Sequence, residues 1–312
     1  MSFWDVVEPV AILLIIIAVG FILQRLKLLT RAGAREMTML LMKVILPCVI
    51  INSFQIPYKP QIANNMLIAF FSAVAAMTLS AFVSFFVFST TEPDDKKISL
   101  VYATLFSNAG FFSLPVLESI AGAEGVVYGS MFLLVFNIFT WTVGIWLMEY
   151  KRNRDLSLLA QVKRLIINPG IVGIVVALIL FFTRWSLPGV LGLTVKGISA
   201  LNTPLAMIVV GFQIGDNIDH AFKIDAKVVL SGLLRNVVLP LLTLIWIVLL
   251  IEDEILAVAA LVPAAAPTAA NAVIFAYAYE RDIPTATQCM VFSTLLSLLT
   301  LPALIWLARQ LG

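Results

Sequence analysis

The chain has very little of what most chemical sites are built from. Among 312 residues histidine occurs once and cysteine twice, and Lys, Arg, Asp and Glu together make only 12%. His220 stands beside Asp216 and Asp219, too few ligands for a tetrahedral metal site, so it is expected as a solvated loop residue. Cys48 and Cys289 fall in apolar runs, where cysteine behaves as a small hydrophobe; neither metal nor disulfide is expected. A phosphate-cradling G-x-x-x-x-G-K-[ST] loop is missing, which removes ATP as a direct driver. Also missing are a Gly-x-Ser-Gly segment with a buried His and a pair of buried Asp, the needs of intramembrane serine and aspartyl proteases. The chain is therefore expected to be no enzyme and to carry no cofactor. A net charge of +2, with basic residues scattered through short connections, makes no nucleic-acid surface.

What is abundant is apolar. Hydrophobic residues make 61% of the chain and the mean hydropathy is +1.04, whereas soluble domains run near half apolar and a quarter charged. Such a chain belongs in a bilayer. Asp5 and Glu8 precede the first apolar run, where a signal peptide would carry basic residues, so that run is expected to stay as a transmembrane helix. A span needs about 20 mostly apolar residues. Ten stretches qualify: Val6 to Gln24, Met37 to Gln55, Ile62 to Ser89, Ile98 to Ala121, Gly125 to Glu149, Leu165 to Phe182, Val195 to Ile214, Ala226 to Ile251, Ile255 to Tyr279 and Thr285 to Leu307. The fold class is an all-α polytopic membrane protein.

Cytoplasmic loops retain Lys and Arg. Connections after the odd-numbered spans hold fourteen of them and the opposite side four, Lys59, Arg184, Lys196 and Arg309, which puts both termini outside the cytoplasmic membrane. Cut at the connection 151–164, the chain falls into a first five-span repeat (1–150) and a second (165–312). An odd number of spans per half inserts the halves in opposite orientations. Ser53-Phe54-Gln55-Ile56 after Pro47 and Gly211-Phe212-Gln213-Ile214 after Pro204 are a weak trace of that repeat, each proline kinking its span at a similar depth.

Two spans are interrupted where a bilayer helix should be most regular. Span four carries Ser107-Asn108-Ala109-Gly110-Phe111-Phe112-Ser113-Leu114-Pro115, and span nine carries Pro263-Ala264-Ala265-Ala266-Pro267-Thr268-Ala269-Ala270-Asn271. Both breaks lie about 15 Å of helix rise into their spans, from opposite faces, so they reach one depth and can meet. Paired interruptions at corresponding places in two halves point to a transporter's midplane site.

These motifs, with the tail Ala276-Tyr277 through Asp282 into Val291-Phe292-Ser293-Thr294-Leu295-Leu296-Ser297 and Thr300-Leu301-Pro302, resemble the auxin efflux carrier family. That family includes the plant PIN carriers and bacterial permeases assigned to small carboxylates such as malonate or malate. The resemblance covers nearly the whole chain. It implies a 5+5 inverted repeat in which helices four and nine cross, as in bile-acid symporter-like and sodium/proton antiporter-like folds. Spans one, two, six and seven would form a scaffold and the others a moving domain. The chain departs from the plant carriers in its short central connection, and from the family pattern in having no proline next to Asn108.

An interrupted helix presents free N–H groups and a positive dipole end from its second half. Opposed ends of that kind favour an anion, beside the Asn108 and Asn271 amides, which either contact substrate or only cap the broken helices. Substrate contact is expected from Ser107, Asn108, Gly110, Phe111, Pro263, Pro267, Thr268 and Asn271. Arg235, deep in span eight, is a substrate or gating cation, or a structural partner of buried carbonyls or of an acid. Pro115, Pro47 and Pro204 set kinks, and Glu118 is the one carboxylate in span four available for proton coupling. The partners expected are the lipid bilayer and a small organic anion, a mono- or dicarboxylate or an indole acid, and a homodimer is compatible with this. A Na⁺- or H⁺-coupled symporter of another solute and an anion channel are the competing readings.

Overall fold

The computed structural model describes residues 4–151, 162–163, 166–221 and 225–311, and all regular elements among them are helical. Arg152, Arg154, Arg164 and Lys223, which carry part of the charge asymmetry, lie outside the described residues. Five helical stretches are long and apolar enough to cross a bilayer, Pro60–Val87, Ala109–Glu149, Gly189–Asn217, Ala226–Leu250 and Ile283–Gln310, and Ala11–Arg25, Pro169–Thr183 and Glu254–Ala265 are shorter apolar helices. Phe71, Phe82, Phe86, Leu249 and Leu299 stand 65–77% exposed, a surface that only lipid would cover favourably. The protein is a multi-pass membrane protein.

In chain order the elements are α1 (Trp4–Arg25), α2 (Arg31–Leu40), α3 (Leu46–Ser53), α4 (Pro60–Val87), α5 (Asp94–Leu105), α6 (Leu114–Phe139), α7 (Ile145–Glu149), α8 (Pro169–Thr183), α9 (Gly189–Ser199), α10 (Asn202–Ala221), α11 (Ala226–Leu233), α12 (Leu239–Leu250), α13 (Glu254–Ala265), α14 (Asn271–Ala278) and α15 (Ile283–Leu311). Wide π turns at Leu41–Ile45, Ala109–Ser113, Thr140–Gly144 and Leu234–Val238 splice several of them together. Proline explains three of the four. Its ring clashes with the carbonyl four residues back and it donates no hydrogen bond there. Lys43, Phe111 and Asn236 are the residues four before Pro47, Pro115 and Pro240, and each is the middle residue of its π turn. The helix widens where the clash would fall.

Gly122 ends the first half of α6, with φ +60° and ψ −155°, a conformation that favours glycine. Beyond it the chain doubles back. Cβ atoms added at Gly125, Gly129 and Gly110 would meet Ala121, Leu117 and Leu133, the pattern of two antiparallel helices folded about residue 122. A second close approach joins α1 to α10. Gly20 packs on the backbone of Ile208, and Gly211 on that of Ile17 and Phe21; such small residues let membrane helices touch backbone to backbone.

One local expectation changes, and three others gain detail. His220 belongs to the last turn of α10, because that helix continues to Ala221. The sixth apolar helix runs from Pro169, where the Asn168 side chain accepts from the N–H groups of Gly170 and Ile171 and so sets its first turn; Leu165, the expected start of that span, lies outside the described residues. Pro204 sits in the first turn of α10, where a missing N–H removes nothing the helix would use, and the residue four before it, Ala200, stands at the break between α9 and α10, where a proline ring would clash with a continuing helix. Arg281, one of the basic residues in the connections, is only 6% exposed; it donates to the carbonyls of Met148 and Tyr150 and pairs with Asp95.

Candidate functional site

The two interrupted helices meet at their breaks. After α5 the chain is extended at Phe106 and crosses the extended stretch that follows α13, pairing with it antiparallel through Ser107 and Thr268. The Asn108 N–H donates to the Pro267 carbonyl at 2.7 Å, and the Ala269 N–H to the Phe106 carbonyl at 2.9 Å. Backbone groups released by unwinding thus satisfy one another, which an apolar surrounding demands. The expected break of span nine begins later than its first proline, because α13 continues through Pro263 to Ala265.

On one side of the crossing lie the C-terminal ends of α5 and α13. The last four carbonyls of an α-helix lack intrahelical partners, and at the end of α5 each has one. Tyr102 accepts from the Phe106 N–H at 3.0 Å and Ala103 from Thr268 Oγ1 at 2.9 Å. Thr104 and Leu105 accept from Arg235 Nη1 at 3.1 and 3.2 Å. The other guanidinium nitrogen, Nη2, donates to the Ala264 carbonyl near the end of α13. Arg235 is 2% exposed and is projected from the π turn that Pro240 sets. Its neighbour Asn236 accepts from Ser293 Oγ at 2.5 Å, and Ser293 Oγ in turn accepts from the Thr268 N–H at 2.9 Å.

On the other side the N-terminal ends face a cavity of about 60 Å³. Its walls are the start of the π turn (Asn108 to Phe111), Ala269, Ala270 and Asn271 from the second break, Leu133, Phe136 and Asn137 from α6, and Met42, Leu46, Asn168, Pro169 and Gly170. Four asparagines and no charged side chain line it. Asn108 Oδ1 accepts from the Phe111 N–H at 3.2 Å, a cap that leaves its Nδ2 without an acceptor among the described residues. Asn271 opens α14 with no side-chain cap in place. The N–H groups of Gly110 and Asn271 also lack acceptors among the described residues. Asn137 and Asn168 are committed to protein: Asn137 Nδ2 donates to the Leu133 carbonyl at 2.8 Å, and Asn168 Nδ2 to Asn137 Oδ1 at 3.1 Å.

Among the residues singled out from sequence, Asn108, Gly110, Phe111 and Asn271 line the cavity. Ser107 and Thr268 are buried in the paired stretch, Pro267 contributes its carbonyl to it, and Pro263 lies within α13. Arg235 is not on the cavity wall. Glu118 is away from it too, accepting from Thr203 Oγ1 on α10 at 3.0 Å. Asn137, Asn168, Asn236 and Ser293 were not foreseen. Asn137 offered a signal, an amide within an apolar run, and Asn168 another, a helix-capping residue directly before Pro169.

A family model described as membrane transport protein matches residues 5–305. An uncharacterized transporter of Methanothermobacter thermautotrophicus is 27% identical over 305 residues, covering 97% of this chain and 98% of that protein. A match over so much of the chain places it: the protein belongs to the membrane transport protein family, the auxin efflux carrier-like family that its sequence resembles.

Proposed function

We propose that this protein is a secondary transporter that carries a small organic anion across the cytoplasmic membrane by elevator-type alternating access, with the cavity at the crossed breaks as its binding site. The observation that carries the proposal is the convergence there of two helix N-terminal ends, two N–H groups without acceptors and two uncommitted amides, Asn108 Nδ2 and that of Asn271. Each helix end contributes about 0.3 to 2 kcal/mol to a bound carboxylate, and the amides orient it. A volume of about 60 Å³ is room for a few waters, so loading a larger acid requires the walls to part.

Packing is consistent with ten spans in two inverted repeats, 1–150 and 165–312 about the connection 151–164; the placing of both termini outside rests on the distribution of Lys and Arg in the sequence. The α1 on α10 contact, span one on span seven, has its counterpart where Gly173 of α8 lies against the backbone of Pro47 in α3, span six on span two. The polar contacts sort into two bodies. Gln24 and Arg31 hold Asp216, and Gln55 accepts from the Leu187 N–H, all within spans one, two, six, seven and their connections. Lys151 pairs with Asp94, Arg281 with Asp95 and Lys96 with Asp225. Asn65 bonds Tyr128 and Asp253, and Trp246 bonds Ser72. These belong to the remaining spans. Side-chain hydrogen bonds from Thr203 to Glu118 and from Asn168 to Asn137 join the bodies, and such contacts can be exchanged as one body slides against the other.

The test is thermal unfolding of the purified protein across mono- and dicarboxylates and indole acids. A ligand at 100 times its Kd adds about 2.7 kcal/mol. One acid should stabilise the wild type and fail to stabilise Asn108→Ala, and should then show saturable counterflow in proteoliposomes. Stabilisation by a neutral solute alone would remove the anion from the proposal, and flux without saturation would replace the carrier by a channel.

A further inference from the structure

We infer that Arg235 is a built-in counter-cation for the crossing and occupies the place that a coupling Na⁺ would take, so that substrate binding and movement of this protein need no alkali cation. The inference rests on the transporter reading above and adds its energetics.

The argument starts from charge. A helix C-terminus carries roughly half a negative charge, and at the crossing two of them, from α5 and α13, point at one spot. Together they make about one unit in an environment from which water is excluded. Half-helix ends and unwound carbonyls arranged in this way are where transporters hold Na⁺. Here the guanidinium of Arg235 stands at that spot and donates to Thr104, Leu105 and Ala264. A fork of five donors suits carbonyls from two helices better than a point charge does. One full positive charge against about one negative leaves the crossing near neutral, and a second cation a few ångström away would be repelled strongly in a low dielectric.

The backbone explains why the charge is permanent. Arg235 issues from a π turn whose position Pro240 dictates, and the turn is held from behind by Asn236 and Ser293, which also hold Thr268. The cation and the carbonyls it neutralises therefore belong to one packed body, and travel together if that body moves. A dissociable ion would have to be rebound in every cycle; a tethered guanidinium does not. Arg235 is accordingly a positioning residue. It fixes the C-terminal ends of α5 and α13, and through Thr268 the N-terminal ends on the cavity side, without touching substrate.

The experiment is thermal unfolding of the full-length detergent-purified protein in sodium, potassium and choline chloride at equal ionic strength. The wild type should unfold at the same temperature in all three. Arg235→Ala should lose more than about 5 °C, and about 10 mM methylguanidinium, far below denaturing levels, should restore much of the loss while choline restores none. Arg235→Lys keeps the charge but not the fork, and should fall between the two and remain indifferent to Na⁺. Specific stabilisation of the wild type by Na⁺ would overturn the inference, as would an Arg235→Ala protein that neither loses stability nor responds to methylguanidinium. If Arg235→Ala does not accumulate, the wild type and Arg235→Lys decide by their response to Na⁺. No substrate enters this test, so its failure leaves anion transport standing, and an unresponsive carboxylate panel leaves the counter-cation standing.

Discussion

The two breaks are alike in depth and in being paired with each other, yet they are held in different ways. At the first, the new helix is capped from within: Asn108 Oδ1 accepts from Phe111 and its carbonyl accepts from Ser113 Oγ, while Ser107 Oγ has no partner among the described residues. At the second, the new helix has no side-chain cap, but the extended stretch is pinned on both sides through Thr268, by Ser293 and by the Ala103 carbonyl. The same backbone requirement is met by a cap in one half and by an anchor in the other. Two interrupted helices can thus share one crossing geometry while different residues hold them.

The largest effect should come from removing the anchor. Thr268→Val keeps the shape and deletes the hydroxyl, stranding the buried Ala103 carbonyl, and should cost about 2 kcal/mol; Ser107→Ala deletes a hydroxyl that bonds nothing and should stay within about 0.5 kcal/mol. Equal losses in denaturant melts would erase the distinction between the breaks. Next, Asn108→Ala should lose about 1 kcal/mol with the cap, as well as carboxylate stabilisation. Asn271→Ala should lose the ligand response at unchanged stability. A double-mutant cycle on Glu118→Gln and Thr203→Val should return a coupling of about 0.5 to 1.5 kcal/mol, because only the helix after the first break is tied to α10 in this way.

The smallest effect lies at the entry to α11, beside the first turn of α5. Burial alone would raise the Asp225 carboxyl, but the paired Lys96 and the N–H groups of Val228 and Lys227 outweigh it and hold the group below its ordinary value. A depressed folded-state value means stability that is present above the ordinary carboxylate range and is lost as pH falls through the folded value. Asp225→Asn keeps the helix cap and removes the charge, so it should flatten the acid side of the melting profile below about pH 5. Its cost at neutral pH should stay below about 1 kcal/mol, as is usual for a half-exposed pair.

Much of this could be read in the sequence because a bilayer penalises exceptions. Asn108, Gly110, Pro115 and Pro267 stand out in apolar runs for one physical reason, the price of unpaired backbone, and the structure brings those stretches together. The cavity's far wall was illegible, since Asn137 and Asn168 lie far apart in the chain and sequence spacing carries no sign that they meet. The division of labour between caps and anchors was equally hidden: nothing in the words Thr268 or Ser293 says which carbonyl each will reach. Arg235 was legible as a buried cation, whereas its partners, being backbone, have no sequence signature. Arg281 gave no sign of its burial, because a loop cation between apolar runs normally stays in water.

The proline-centred π turns have a consequence for how this chain can change. A π turn holds one residue more than the α turn it replaces, so each turns the helix face beyond it by about 100° relative to an unbroken helix. Deleting a single residue between Leu234 and Val238 would leave the length of the span nearly unchanged while rotating Arg235 and everything before it away from the partners they now reach. In such segments the reading frame of the helix, more than the identity of any one side chain, is what inheritance has to preserve.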